Sequence, residues 1–247
     1  MISMTAAAFF IFMLSGNFSS IPFASEIPTN PRAEKIMDSI RVHLQEQLAD
    51  RNLNIGSPVF IRIFKEPAVL ELWMMSDNGQ FTLFKDYEIC SFSGLPGPKL
   101  QEGDLQSPEG FYSVTSTSFN PNSKFYLSIN MGYPNSFDRY YKRTGSAIMI
   151  HGSCVSLGCY AMTDENIGEI YTLAAAAIKE GQSSINVHAF PFILKPEKLE
   201  KYKKLCWYSF WSNLKEGFDY FEEHRIPPRV ALKNGRYEII SNGQVKK

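Results

Sequence analysis

Three apolar runs follow one another between residues 59 and 90, and they constrain the fold more than any other feature of the chain. Residues 59–64 (VFIRIF), 69–75 (VLELWMM) and 81–90 (FTLFKDYEIC) are short and rich in β-branched and aromatic side chains. Asn78-Gly79 separates the second from the third, a dipeptide suited to the positive backbone angles of a tight hairpin. A sheet assembled from sequence neighbours is therefore predicted. Residues 93–110 are loop-rich, with Gly94, Pro96, Gly97, Pro98, Gly103, Pro108 and Gly110. Strand character resumes over 111–115 and 125–130, in the apolar run 147–150 that leads into His151, and over 185–192.

Helical spacing frames these strands. Asn30 as cap, Pro31 in the first turn, and Ile36, Ile40, Leu44 and Leu48 at intervals of four predict an amphipathic helix reaching about residue 56. A second helix is predicted after Cys159: Thr163 or Asp164 caps it, Ile167, Ile170, Tyr171, Ala174 and Ile178 share a face, and Gly181 closes it. Beyond Lys195 lies a third amphipathic segment carrying Trp207, Phe210, Trp211, Leu214, Phe218 and Phe221, followed by Pro227-Pro228 and a hairpin at Asn234-Gly235. The fold expected is α+β, with a mostly β, sandwich-like core, an N-terminal helix over 26–56, a central unit over 57–194 and a helical extension over 195–247.

Composition removes several function classes. With 247 residues and 44% hydrophobic side chains, the chain can build a sizeable core, so disordered and fibrous classes are excluded. Lys plus Arg and Asp plus Glu number 25 each, which leaves no basic field for nucleic acid. Acidic residues outnumber basic ones over 57–194, and the reverse holds over 195–247, where a solvated lysine-rich face is expected. Residues 1–25 carry no charge and include the apolar core AAAFFIFML, which reads as a secretory signal. An uncleaved anchor is the competing reading, and the only membrane association expected is through it.

The chemistry concentrates in IMIHGSCVSLGCYAMTD, residues 148–164. His151 ends a strand, Gly152 and Gly158 flank a polar turn, and Cys159 precedes a helix. A cysteine nucleophile needs a base, a tight backbone that offers N–H groups to an oxyanion, and neighbours that do not repel negative charge. No Asp or Glu occurs from Arg139 through Thr163, while Arg139, Lys142 and Arg143 lie upstream of the histidine. This acid-free, basic window predicts a stabilised thiolate and a carboxylate-bearing substrate.

The pair His151-Gly152 followed by Ser156-Leu157-Gly158-Cys159 resembles the YkuD-type L,D-transpeptidases. Upstream, Gly103-Asp104 with Ser107-Pro108-Glu109-Gly110 resembles that family's second recurrent segment, and the stretch around Cys159 is most similar to its YafK branch. Many members carry a histidine just before the Gly-Cys and an arginine two residues after the cysteine, where this chain has Leu157 and Ala161. The resemblance implies a peptidoglycan-modifying enzyme without metal or organic cofactor, active in cell-wall biogenesis and cell shape, in the bacterial envelope, periplasmic or secreted. Cys159 would attack a carbonyl beside a diaminopimelate residue of a stem peptide and form a thioester. His151 would exchange the proton, the Gly152 carbonyl would orient the imidazole, and N–H groups at Gly158 and Cys159 would hold the oxyanion. An amine would complete transpeptidation. Water would instead make an amidase that releases a murein-linked lipoprotein.

Tyr126, Tyr133 and Arg139 are the candidate substrate contacts. If Cys159 stays a thiol, Cys90, Cys154 and Cys206 allow at most one bridge, and Cys154 is expected to pack as a small apolar side chain. His188 is expected to be a satisfied core or surface histidine. Two readings of another class remain: a zinc site from His151, Cys154, Cys159 and His188, or a wall-binding module without turnover.

Overall fold

The computed structural model describes residues 26–240, so the signal expected at 1–25 lies outside the described residues. β1 (Val59–Glu66), β2 (Val69–Met75) and β3 (Phe81–Glu88) form the antiparallel meander expected from the three runs. β3 ends two residues earlier than expected, and Cys90 leaves it to form a disulfide with Cys154. β4 (Gly110–Val114) follows the loop-rich stretch. A second sheet contains β5 (Phe119–Asn120), β6 (Ser128–Asn130), β7 (Met149–His151) and β8 (Tyr160–Ala161), in that order. β9 (Ile185–Phe192) then enters the first sheet between β1 and β4, parallel to β1, to give the order β3-β2-β1-β9-β4. The α+β, sandwich-like expectation holds.

The burial of β1 along almost its whole length, Arg62 and Lys65 included, follows from its being covered on both faces. Val59, Ile61 and Ile63 face the central core with Leu72, Val187, Ile129 and Ile150. On the opposite face Phe64 packs with Phe190 and Phe218, and Phe60 with Phe221. Arg62 sits between them, 4% exposed, over the Phe221 ring and bonded to Glu71 and Glu222.

Five helices among the described residues complete the layers. α1 (Pro31–Ala49) is capped by Asn30, whose side chain accepts the Ala33 N–H at 2.8 Å, and buries Ala33, Met37, Leu44 and Leu48. It stops short of residue 56 because Asn52 turns left-handed (φ +53°) and Leu53 N–H closes back on the Leu48 carbonyl. α2 (Ser136–Tyr140) is a single capped turn. α3 (Asp164–Lys179) starts at Thr163, whose hydroxyl accepts the Asn166 N–H, and its run of small residues, Ala174 to Ala177, is buried. α4 (Pro196–Glu200) leads to α5 (Tyr208–His224), which lays Trp211, Leu214, Phe218 and Phe221 on the outer face of the first sheet. The hairpin of β10 (Arg229–Lys233) and β11 (Arg236–Ile240) turns at Asn234-Gly235, both at positive φ, as the dipeptide predicts.

Two other expected strands shorten at left-handed residues. Tyr126 (φ +67°) confines the 125–130 run to β6, and Ala147 (φ +53°) delays the 147–150 run to β7. The lysines of the extension face solvent in ion pairs such as Lys203–Glu200 and Lys233–Glu238, which matches the solvated face expected there. Beneath them lies a buried pair: Lys65 Nζ is 3.0 Å from Glu109 Oε1, and both side chains are fully buried. Glu109 also accepts from the Gly97 N–H at 2.7 Å and from Trp211 Nε1 at 2.8 Å, so α5 is tied to the loop-rich segment through one carboxylate.

Candidate active site

Parallel pairing of β7 with β8 sets Ile150 against Tyr160 and His151 against Ala161. One residue earlier in this register Cys159 lies opposite Met149, whose N–H reaches the sulfur at 3.4 Å. Side chains alternate along a strand, so Met149 and His151 project to one face while Ile150 and Tyr160 enter the core. Cys159 and His151 thus share a face as diagonal neighbours, a separation of roughly 7–8 Å at the backbone. The Ala147 carbonyl is the sulfur's other hydrogen-bond partner, at 3.7 Å, and the imidazole is not hydrogen-bonded to it in this conformation.

The His151 ring is held from both sides. Its Nδ1 lies 2.6 Å from the Gly152 carbonyl; because a carbonyl only accepts, the proton sits on Nδ1 and Nε2 is left with its lone pair. Phe125 covers the ring at 4.6 Å between centroids. Gly152 has no room for a side chain: a Cβ there would meet Asp164 Oδ1 at 2.6 Å and the Phe125 carbonyl at 2.7 Å. Gly158, at φ +119°, takes a backbone angle that L side chains rarely adopt. The Ser156 hydroxyl accepts the Gly158 N–H and donates to the Cys159 carbonyl, and the Ser107 hydroxyl also donates to that carbonyl. Tyr160 hydroxyl donates to the Pro108 carbonyl at 2.7 Å. The 103–110 segment is therefore the bed on which the cysteine turn lies.

The electrostatics differ from the expected thiolate. Burial pushes the Cys159 thiol up, and the Met149 N–H and the charge of Lys99 only partly offset it. Burial also pushes His151 down, against a smaller opposing effect of the Gly152 carbonyl. At neutral pH the resting pair is a neutral thiol beside a neutral imidazole. The basic window does not reach the sulfur: Arg143 pairs with buried Asp138 at 2.8 Å, Arg139 donates to the Pro134 carbonyl, and Lys142 is exposed. The cation that acts is Lys99, 3% exposed and bonded to Asp104 and the Gln101 carbonyl. Sequence reasoning missed it, although its partner Asp104 lies in the recurrent segment.

Residues 70–187 match the model of the L,D-transpeptidase catalytic domain, YkuD. The chain is 45% identical over 185 residues to "Putative L,D-transpeptidase YafK" of Escherichia coli strain K12, an alignment covering 75% of each chain. The chain belongs to the YkuD family of L,D-transpeptidases. The O157:H7 form of YafK aligns equally well. Among solved structures, the helical cell shape determining protein Pgp2 of Campylobacter jejuni aligns at 18% identity and a TM-score of 0.44, covering 80% of this chain and 84% of that one. A mutant of Pgp2 aligns at 20% identity and a TM-score of 0.46, over 76% of this chain and 63% of that one. This YkuD-family chain is accordingly a peptidoglycan-modifying, cysteine-dependent transpeptidase.

The other sequence-predicted residues scatter. Tyr133 is buried and donates to the Thr144 carbonyl at 3.1 Å, so it braces the loop beside Lys99. Tyr126 abuts Gly152 and lies under the Arg32 guanidinium. Arg139 lines a cleft that includes no residue of the 147–161 segment. Cys154 is not a packed thiol; it is exposed and bridged to Cys90, which ties the turn between His151 and Cys159 to the end of β3. The bridge removes Cys154 as a metal ligand, and His188 packs between Phe60 and Phe111 on the other sheet, so the four residues of the zinc reading are not brought together. Leu157, where many family members carry histidine, is 79% exposed, and Ala161 is buried.

Proposed function

We propose that Cys159 is the nucleophile and His151 the general base of this transpeptidase, acting on diaminopimelate-containing stem peptides. The supporting observation is the β7–β8 register, which gives both side chains one face while Gly152 holds Nδ1 and leaves Nε2 able to accept a proton. Because both groups rest neutral, the proton moves from Sγ to Nε2 as the sulfur attacks, rather than before. The S–C bond forms, the C–N bond breaks, and His151 returns the proton to the leaving amine, giving a thioester. The Cys159 N–H, with that of Gly158 once released from Ser156, stabilises the oxyanion. An incoming amine resolves the thioester into a cross-link. Hydrolysis of a lipoprotein–diaminopimelate link is the second reading, since the exposed Leu157 and Val155 leave the rim of the site open to water and to an apolar partner alike.

The reading extends to the chain as a whole: a leader over 1–25, an N-terminal segment over 26–56 that carries α1, and an extension over 195–247 around a catalytic unit over 57–194. The exposed Cys90–Cys154 bridge supports an oxidising compartment, hence the bacterial envelope. Incubating the protein with diaminopimelate-containing muropeptides and resolving products by mass tests the function. Cross-linked products are expected, trimmed products would favour hydrolysis, and no product of either kind from the folded, reduced-Cys159 protein would overturn both.

A further inference from the structure

A cleft of about 630 Å³ opens on the outer face of the first sheet, between β4, β9, α2 and the chain around Pro227-Pro228. Its volume lies in the range of small-ligand sites, roughly 300–1,000 Å³. None of its lining residues belongs to the segments that hold Cys159 and His151, and none is acidic. Two arginines line it, Arg139 on α2, whose guanidinium donates to the Pro134 carbonyl, and Arg229 on β10, which has no ion-pair partner among the described residues. Ser113 and Asn186, opposite each other across β4 and β9, present side chains that make no hydrogen bond among the described residues.

His188 forms part of the same wall. It is 1% exposed, packed between Phe60 and Phe111, and its Nδ1 has no hydrogen-bond partner among the described residues. Burial first, and then the Arg62 charge, push its pKa down to about 3, so the ring is neutral throughout the physiological range. A buried, unpartnered polar atom costs about 1–3 kcal/mol, and its usual compensation is a ligand or an ordered water.

We infer that this cleft is a second binding site, separate from the thiol, for a short carboxylate-bearing peptide. Arg139 and Arg229 hold the carboxylate, Ser113 and Asn186 the peptide amides, and the neutral His188 ring one further amide or hydroxyl. This deepens the proposed function: the peptide that fits the chemistry is a stem peptide of a neighbouring strand, bound so that the enzyme stays on its polymer between acyl transfers. The reading rests on peptidoglycan being the substrate.

The test uses the full chain carrying Cys159→Ala, so that no turnover obscures binding. It is titrated with a diaminopimelate-containing tetrapeptide, with an unrelated acidic tetrapeptide and with an N-acetylglucosamine oligomer, while backbone amide and His188 ring signals are followed by NMR. Saturable shifts at Ser113, Asn186 and His188 with the stem tetrapeptide are expected. Arg229→Gln should weaken binding about tenfold or more, and Lys233→Gln, on the same strand but outside the cleft, should not weaken it. Equal shifts with the acidic control would still support a carboxylate site but assign it to peptides in general. Binding of the sugar alone, shifts confined to the 147–161 segment, or no effect of Arg229→Gln would overturn the cleft. Those outcomes leave the muropeptide assay of the wild-type enzyme untouched, so failure here is distinguishable from failure of the proposed function.

Discussion

Replacing Lys65 by Met tests how the buried carboxylate of Glu109 is balanced. Glu109 is approached by the Lys65 ammonium at 3.0 Å, the Gly97 N–H at 2.7 Å and the Trp211 indole at 2.8 Å. Burial pushes the Lys65 ammonium down despite the opposing effect of Glu109, so the pair does not recover all of its desolvation. Removing the cation alone is nevertheless worse, because it leaves an anion with only two neutral donors. Breaking a buried pair from one side costs about 3–5 kcal/mol. At about 2–4 °C per kcal/mol for a domain of this size, Tm should fall by roughly 6–20 °C at pH 7. The double variant Lys65→Met with Glu109→Gln should recover a large part of the loss, since the amide oxygen still accepts one of the two donors. Calorimetric melts of the three proteins at pH 7 decide the matter. A drop below about 3 °C for the single variant, or a double variant no more stable than it, would refute the charge-balance argument.

Cys159→Ser should abolish transpeptidation and His151→Ala should lower kcat by about 10²–10⁴-fold, read on muropeptides by mass; full activity in either removes the proposed roles. Because His151 is displaced downward, the acid limb of kcat/KM should lie below the ordinary histidine value of about 6.5, and iodoacetamide should label Cys159 progressively faster only as pH rises past about 9. A labelling rate already maximal at pH 7 would mean a preformed thiolate. Cys154→Ser should cost about 2–4 kcal/mol, since the bridge closes a loop with a sequence separation of 64, and should reduce kcat by slackening the turn between His151 and Cys159. His188 binds a proton in the unfolded chain near pH 6.5 but in the folded one only near 3, so stability is full above 6.5 and is lost on acidification at about 1.4 kcal/mol per pH unit in that window. A His188→Phe variant should show a shallower acid limb in chemical denaturation.

What could be read from sequence follows the range of the forces involved. The meander, the helix start at Thr163 and the hairpin at Asn234-Gly235 rest on local patterns of burial and turn chemistry, and all three appear as expected apart from the last two residues of β3. The strand ends at Tyr126 and Ala147 were not legible, because neither residue type announces a left-handed backbone. Cys159 and His151 stood out by motif, whereas the charge of Lys99 acts on the thiol only because its loop folds back onto Thr144 and Gly145. The basic window upstream of His151 misled for a related reason: sequence proximity placed Arg143 near the sulfur, but buried Asp138 binds its guanidinium. Arg139, expected as a substrate contact, instead lines the cleft beside β4 and β9.

A disulfide five positions before the proposed nucleophile, Cys159, invites scrambling, since only the anionic form of sulfur attacks such a bond. The protonated resting state of Cys159 keeps that trespass slow. The burial that forgoes ready-made nucleophilicity thereby keeps the neighbouring cross-bridge from being exchanged, and leaves the proposed acyl transfer, in which the imidazole takes the proton as the sulfur attacks a bound carbonyl, as the course open to Cys159.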